Sequence, residues 1–312
     1  MGDYPRTVLE LEDRFSTEAE CLDYLAKLRW PSGFVCPRCQ ATGGWQASRA
    51  RWICQACRHQ ASVLAGTVFQ DTHKPLRMWF RAVWHVTSQK SGASAVSLQK
   101  ELGLGSYLTA WTWLHKLRRA MVRPDRDRLQ GCVEVDETII GGEAKGPGRK
   151  LDDKFLIGIA AEENGKGIGR IRLRHLPNAT RASLHGFIRD TVEPGSVVHT
   201  DGFFAYRGLE EFGYEHKTTV LLGREPSAAS RLLPRVHGIA SLLKRWLLGT
   251  HQGAISEKHL PYYLDEFTFR FNRRKSKSRG LLFHRLLAQA MQIAPQTYRQ
   301  ITANDQTADH NL

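Results

Sequence analysis

The chain has 312 residues, room for about two domains. Its hydrophobic fraction of 41% is enough for a sizeable core. The net charge of +14 favours a polyanionic partner, of which nucleic acid is the commonest. No apolar run at the start resembles a signal peptide, and no stretch approaches the ~18 apolar residues of a membrane span, so no membrane partner is expected. Lys and Arg crowd three places: Lys116 to Arg128, Arg224 to Arg245 and Arg270 to Arg279.

In chain order, residues 8–30 have helical apolar spacing around Glu18 to Arg29 and read as an N-terminal helix. A zinc ribbon is expected over residues 31–65. Cys36-Pro-Arg-Cys39 and Cys54-Gln-Ala-Cys57 are two knuckles separated by fourteen residues, and four thiolates at this spacing suit one tetrahedral, structural Zn²⁺. Two redox dithiols or two disulfides are the alternatives. A redox pair is usually single and set in a βαβ pattern, and disulfides suit secreted chains. With four of six cysteines assigned to the ribbon, and Cys21 and Cys132 isolated, a reducing cytosol is favoured.

Residues 74–123 read as three helices. The first begins at Pro75, the second covers about Ser94 to Glu101, and the third runs from Tyr107 to Met121 after the turn Leu102-Gly103-Leu104-Gly105. Helix, glycine turn, helix is the outline of a helix-turn-helix, and Lys116, Arg118 and Arg119 on its last helix suit contact with DNA. An ordinary three-helix bundle with a basic face has the same outline. Pro124 to Gln130 is a charged linker.

The texture then becomes β-rich. Val133 to Ile140, Phe155 to Ala161 and Ile168 to His175 read as strands, with Gly165 in a hairpin turn. Gly146 to Lys150 reads as a flexible connector. Ala179 to Thr191 is a helix, Ser196 to Asp201 and Lys217 to Leu222 are strands, Gly223 to Pro234 is a loop, and Val236 to Leu248 and Leu260 to Asn272 are helices. This order predicts an α/β domain of RNase H-like fold over residues 131–290, with a mixed sheet and flanking helices. Residues 303–312 are polar and read as a disordered tail.

Asp136 sits on an apolar strand, flanked by Glu134 and Glu137, and Asp201 closes another. A carboxylate at the end of a buried strand is costly without a partner. Two of them on neighbouring strands suit a divalent ion, and paired ions suit phosphoryl transfer. His237 and Lys244 are seven residues apart, almost two helical turns, so they share a helix face. His237 is a candidate metal ligand, and Lys244 a candidate phosphate contact.

The motifs Val133-Glu-Val-Asp136-Glu-Thr, His199-Thr-Asp201-Gly-Phe-Phe-Ala-Tyr206, His237-x-x-x-Ser241-x-x-Lys244-x-Trp246 and Tyr263 to Arg274 together resemble the insertion-sequence transposases of the DDE, RNase H-like superfamily. The resemblance is to the branch with an N-terminal zinc ribbon, related to Merlin elements. It covers the chain from the ribbon to about residue 290. It implies that Asp136 and Asp201 are the first two catalytic acids, that His237 stands where many relatives have Glu, and that Lys244 is the lysine seven residues later. It implies Mg²⁺ or Mn²⁺ at Asp136, Asp201 and His237, two ions in all. It implies double-stranded DNA as partner, both terminal repeats and target, and a homodimer or higher oligomer on it. The setting implied is cytoplasmic, bacterial and nucleoid-associated. DNA contact is expected from Lys116, Arg118, Arg119, Lys244, Arg245, Arg273 and Arg274. Glu257, Asp265 and Glu266 are reserve candidates for the third acid, with Arg270 at i+4 a ready partner for Glu266. A regulator with a decayed catalytic domain, and an RNase H-like nuclease without transposition, are the rival readings.

Overall fold

The computed structural model describes residues 3–123, 126–141, 154–219, 232–251 and 255–302. The expected connector at Gly146 to Lys150, most of the loop before Pro234 and the polar tail lie outside these residues. The chain forms two compact units, one from residues up to Pro124 together with Ser276 onward, the other Asp125–Lys275.

The first unit opens with two helices where one is expected: α1 (Val8–Arg14) and α2 (Glu18–Arg29). The break has a local cause. The Thr17 side chain accepts from the Glu20 N–H while Glu20 reaches back to the Thr17 N–H, a capping box that restarts the helix. The ribbon strands β1 (Gly44–Ser48), β2 (Arg51–Cys54) and β3 (Gln60–Ser62) pair antiparallel in sequence order. Then come α3 (Leu76–Ser88), α4 (Ala95–Leu102) and α5 (Tyr107–Arg119). Gly103 ends α4 at φ +60°, a left-handed cap that a residue with a Cβ adopts only under strain. Trp79 of α3 stacks on Trp113 of α5 with ring centroids 3.8 Å apart, and both tryptophans are core.

The second unit is built on a five-stranded sheet: β4 (Cys132–Ile140), β5 (Phe155–Asn164), β6 (Gly167–Leu176), β7 (Val197–Asp201) and β8 (Glu215–Thr219). Its order is β6-β5-β4-β7-β8. The first three strands are an antiparallel meander, and β4–β7 and β7–β8 are parallel. This is the mixed sheet of an RNase H-like fold. Gly165, at φ +56°, opens the tight turn between β5 and β6. The helix α6 (Arg181–Thr191) covers one face with Leu184, Phe187 and Ile188. On the other face, α7 (Pro234–His251) and α8 (Leu260–Asn272) cover Ile157, Ile159, Ile171 and Leu173.

Strand alternation sorts β4 between these layers. Val133 and Val135 join the α6 layer, while Ile140 joins the α7 layer. Glu134 and Asp136 therefore lie on the α7 face. The free edge of β6 is paired by a side chain: Asn272 Oδ1 accepts from the Ile171 N–H at 2.8 Å and its Nδ2 donates to Ile171 O at 3.1 Å.

The chain then completes the first unit with α9 (Arg279–Ala290) and α10 (Tyr298–Thr302). The second unit thus closes at Lys275 and not at the expected 290. The reason is packing: α9 lies against α2 and α3, where Phe283 closes an aromatic cluster with Phe15, Tyr24 and Phe80.

Asn272→Ala removes both bonds to the β6 edge. It is expected to cost about 1–3 kcal/mol, read as a lower urea midpoint with an unchanged m-value.

Candidate catalytic and zinc sites

The ribbon brings its four cysteines together. Cys36 Sγ lies 3.7 Å from Cys57 Sγ, Cys39 Sγ lies 3.7 Å from Cys54 Sγ, and all four are within 4.8 Å of one another. A tetrahedron with Zn–S bonds of about 2.3 Å has edges of about 3.8 Å. Sulfurs at this separation are too far apart for disulfides, whose bond is about 2.05 Å. The two knuckles are copies of one turn. The Gln40 N–H donates to Cys36 O and the Arg58 N–H donates to Cys54 O, and both residues take φ near +60°. Phe34 and Trp52 stack behind Cys36 and Cys54. The geometry fits one structural zinc ion.

In the second unit, β4 and β7 pair with Glu134 opposite His199. Two residues further along each strand, that register sets Asp136 beside Asp201. Asp136 is pushed up to about 7, first by burial and then by the Glu137 charge, with Asp201 adding to it. Its Oδ1 accepts from the Glu137 N–H at 2.8 Å. Asp201 Oδ1 accepts from the Phe203 N–H at 3.0 Å, which fixes the turn after β7. Glu137 points to the opposite face, where the buried Tyr206 hydroxyl donates to it.

His237, on the first turn of α7, places Nε2 3.7 Å from Asp136 Oδ2. That nitrogen is buried and, among the described residues, has no hydrogen-bond partner. Burial lowers the His237 pKa, and the Lys244 charge lowers it further against the pull of Glu134 and Asp201. The imidazole is thus held neutral, the form that ligates metals. A raised carboxyl, a second carboxylate beside it and an orphaned neutral nitrogen are a donor set that suits a divalent cation. The set is open: among the described residues, the groups with ligand atoms within 4.8 Å of one another are the four cysteines and Glu134, Glu163 and His199. The second group already holds a cation, because the Arg235 guanidinium contacts Glu134 at 2.6 Å and Glu163 at 3.0 Å.

The other expected residues divide. Lys244 and Arg245 are exposed on α7. Arg119 is exposed and Lys116 half-buried, but Arg118 is 2% exposed and belongs to the interior of its unit. Arg274 binds the carbonyls of Ile168, Gly169 and Phe271, and Arg273 lies over the Phe269 ring, so both are engaged within the fold. Glu266 is buried and paired with Arg270 at 2.8 Å, the partner expected for it. Glu257 is exposed opposite His175. Glu134, Arg235 and Tyr206 were not expected as site residues. The signal available was Glu134 itself, a third acid on an apolar strand.

Residues 128–272 match the ISXO2-like transposase domain, and residues 16–60 match the transposase zinc-ribbon domain. The chain belongs to the zinc-ribbon insertion-sequence transposases. It is also similar to an uncharacterized protein in transposable element ISH50 of Halobacterium salinarum, 28% identical over 270 residues, covering 80% of this chain and 89% of the relative. Among solved structures, a simian T-cell lymphotropic virus intasome in complex with a PP2A regulatory subunit matches with TM-score 0.31 and 16% identity over 62% of this chain and 71% of that one.

A single zinc per chain is expected by metal analysis, and Cys54→Ser, at a buried ligand, should abolish it. A second expectation follows from Asp136. Its pKa is raised in the folded state, so the unfolded chain ionises first as pH rises, and the folded state is penalised increasingly up to about pH 7 and fully above it. Asp136→Asn should therefore melt higher than wild type at pH 8 without divalent ions. The gap should close towards pH 4; a gap independent of pH would contradict the shift.

Proposed function

We propose that this transposase cuts DNA at the terminal inverted repeats of its element and joins the freed 3′ ends to target DNA, using divalent ions held by Asp136, Asp201 and His237. The observation that carries this reading is the orphaned Nε2 of His237 beside Asp136, on the strand next to Asp201. Bound there, Mg²⁺ or Mn²⁺ supplies the charge that activates an attacking oxygen and stabilises a leaving one.

The protein's own part is positioning. Asp136 and Asp201 enter from adjacent parallel strands, each two residues beyond the paired Glu134 and His199. Glu137, held by Tyr206, keeps further negative charge behind Asp136. Lys244, exposed two turns along α7 from His237, would meet a backbone phosphate near the reacting bond. Arg245, next to it, extends that phosphate contact, and Arg119, exposed on the first unit, is a separate candidate contact to DNA. The ribbon adds Arg38, Arg49, Arg51 and Arg58, with no acidic residue between Pro31 and Gln70. The partner is double-stranded DNA, and joining two element ends calls for at least two copies of the chain.

The test is strand cleavage and joining on a labelled duplex carrying the element's terminal repeat. Asp136→Ala, Asp201→Ala and His237→Ala are each expected to abolish both steps. Imidazole is a poorer ligand for Mg²⁺ than for Mn²⁺, so Mn²⁺ should support equal or higher cleavage, and His237→Glu should shift the preference towards Mg²⁺. Activity retained in His237→Ala alone would remove His237 from the ligand set. Wild type that binds the repeat without cutting would favour a regulator, and cutting without joining would favour a nuclease.

A further inference from the structure

Glu134 is among the most buried charged residues of the second unit, with no exposed surface. A carboxylate there is costly unless every lone pair is engaged. Its partners are unusual in kind. Oε2 accepts from the backbone N–H of Arg235 at 2.7 Å and from that of Val236 at 3.0 Å, while Oε1 accepts from the Arg235 guanidinium at 2.6 Å.

Those two backbone groups are the free donors of the first turn of α7. A helix leaves its first N–H groups without intrahelical partners. Pro234 has none to offer, and the His237 N–H donates to Leu233 O as the first regular bond of the helix. Arg235 and Val236 are what remains, and Glu134 takes both. A residue 100 positions away in sequence thus caps the helix where a local Ser or Asp ordinarily would. Its negative charge also sits at the positive end of the helix dipole. Arg235 braces the joint further, reaching Glu163 and the carbonyls of Gly165 and Gly167 in the β5–β6 turn.

Glu134 and Asp136 lie on the same face of β4, two residues apart, and the residues they meet, Arg235 and His237, are two apart on α7. The strand therefore fixes both sides of the contact. Removing the clamp frees the helix start that carries His237, while the strand carrying Asp136 stays in place.

We propose that Glu134 is a positioning residue of the metal site: by capping α7 it holds the His237 imidazole against Asp136. This rests on the reading of His237 as a metal ligand. Its test is Mn²⁺ binding by the full, zinc-loaded chain, followed by loss of the free-ion EPR signal. Both Glu134→Gln, which keeps the length and loses the charge, and Glu134→Asp, which keeps the charge and withdraws it by one methylene, are measured well below their melting temperatures.

Each is expected to weaken Mn²⁺ about tenfold, the usual cost of losing a group that orients a ligand. In the His237→Ala background the same substitutions should cause no further loss, because the residue they act through is gone. Terminal-repeat binding should be unchanged. A role in stability alone predicts lower melting temperatures with wild-type Mn²⁺ affinity in the folded protein, and that result would overturn the proposal. A full tenfold loss persisting in His237→Ala would overturn it too. Wild type that binds Mn²⁺ at this site but neither cuts nor joins DNA would sink the proposed reaction and leave the clamp standing.

Discussion

Parallel pairing of β4 with β7, up to Glu134 and His199, sets Asp136 beside Asp201 in a sheet covered on both faces, and each acid is held from its other side, Asp136 by pairing with β5 and Asp201 by pairing with β8. Like charges in a poorly solvated place raise one another's proton affinity. Among the described residues no arginine pairs with Asp136 to relieve this. The fold relieves Glu134, two residues earlier, in that way, and leaves Asp136 near neutral pH with an unprotonated imidazole opposite. Two acids on one face of one strand are thus given different fates by what α7 brings to each. Arg235 closes one site, and His237 leaves the other open.

Much of this was readable in the sequence. The cysteine spacing gives the zinc site because the ligand distances of one ion leave little freedom. Apolar runs mark the strands, and Asp136 and Asp201 stand out because a carboxylate breaks such a run. The common helix face of His237 and Lys244 follows from helical pitch. What was hidden depends on contacts distant in sequence. Glu134 looks like a flanking acid until Arg235 arrives 101 residues later. Arg118 looks like a DNA contact because periodicity alone does not say which side of α5 faces Trp79. The helix Arg279–Ala290 follows the second unit in sequence without a composition change, so only its packing on α2 and α3 reveals where it belongs.

The ribbon shows a different economy. Its core among the described residues is little more than Phe34, Trp52, Ala61 and two buried cysteines. A core of that size does not hold a fold unaided, and small domains commonly depend on a metal. The repeated knuckle, with Gln40 and Arg58 both in a strained left-handed conformation, has the form expected when ligand geometry overrides backbone preference.

The first unit is discontinuous: the residues of the second lie between α5 and α9. During synthesis the ribosome must therefore finish the whole RNase H-like sheet before the helix bearing Phe283 emerges to close the aromatic cluster of Phe15, Tyr24 and Phe80. The nascent chain carries an incomplete N-terminal core until then. A message cut short near Lys275 would yield a chain with every proposed catalytic residue and an unfinished ribbon-bearing unit, separating the proposed reaction centre from a properly folded source of the ribbon's arginines.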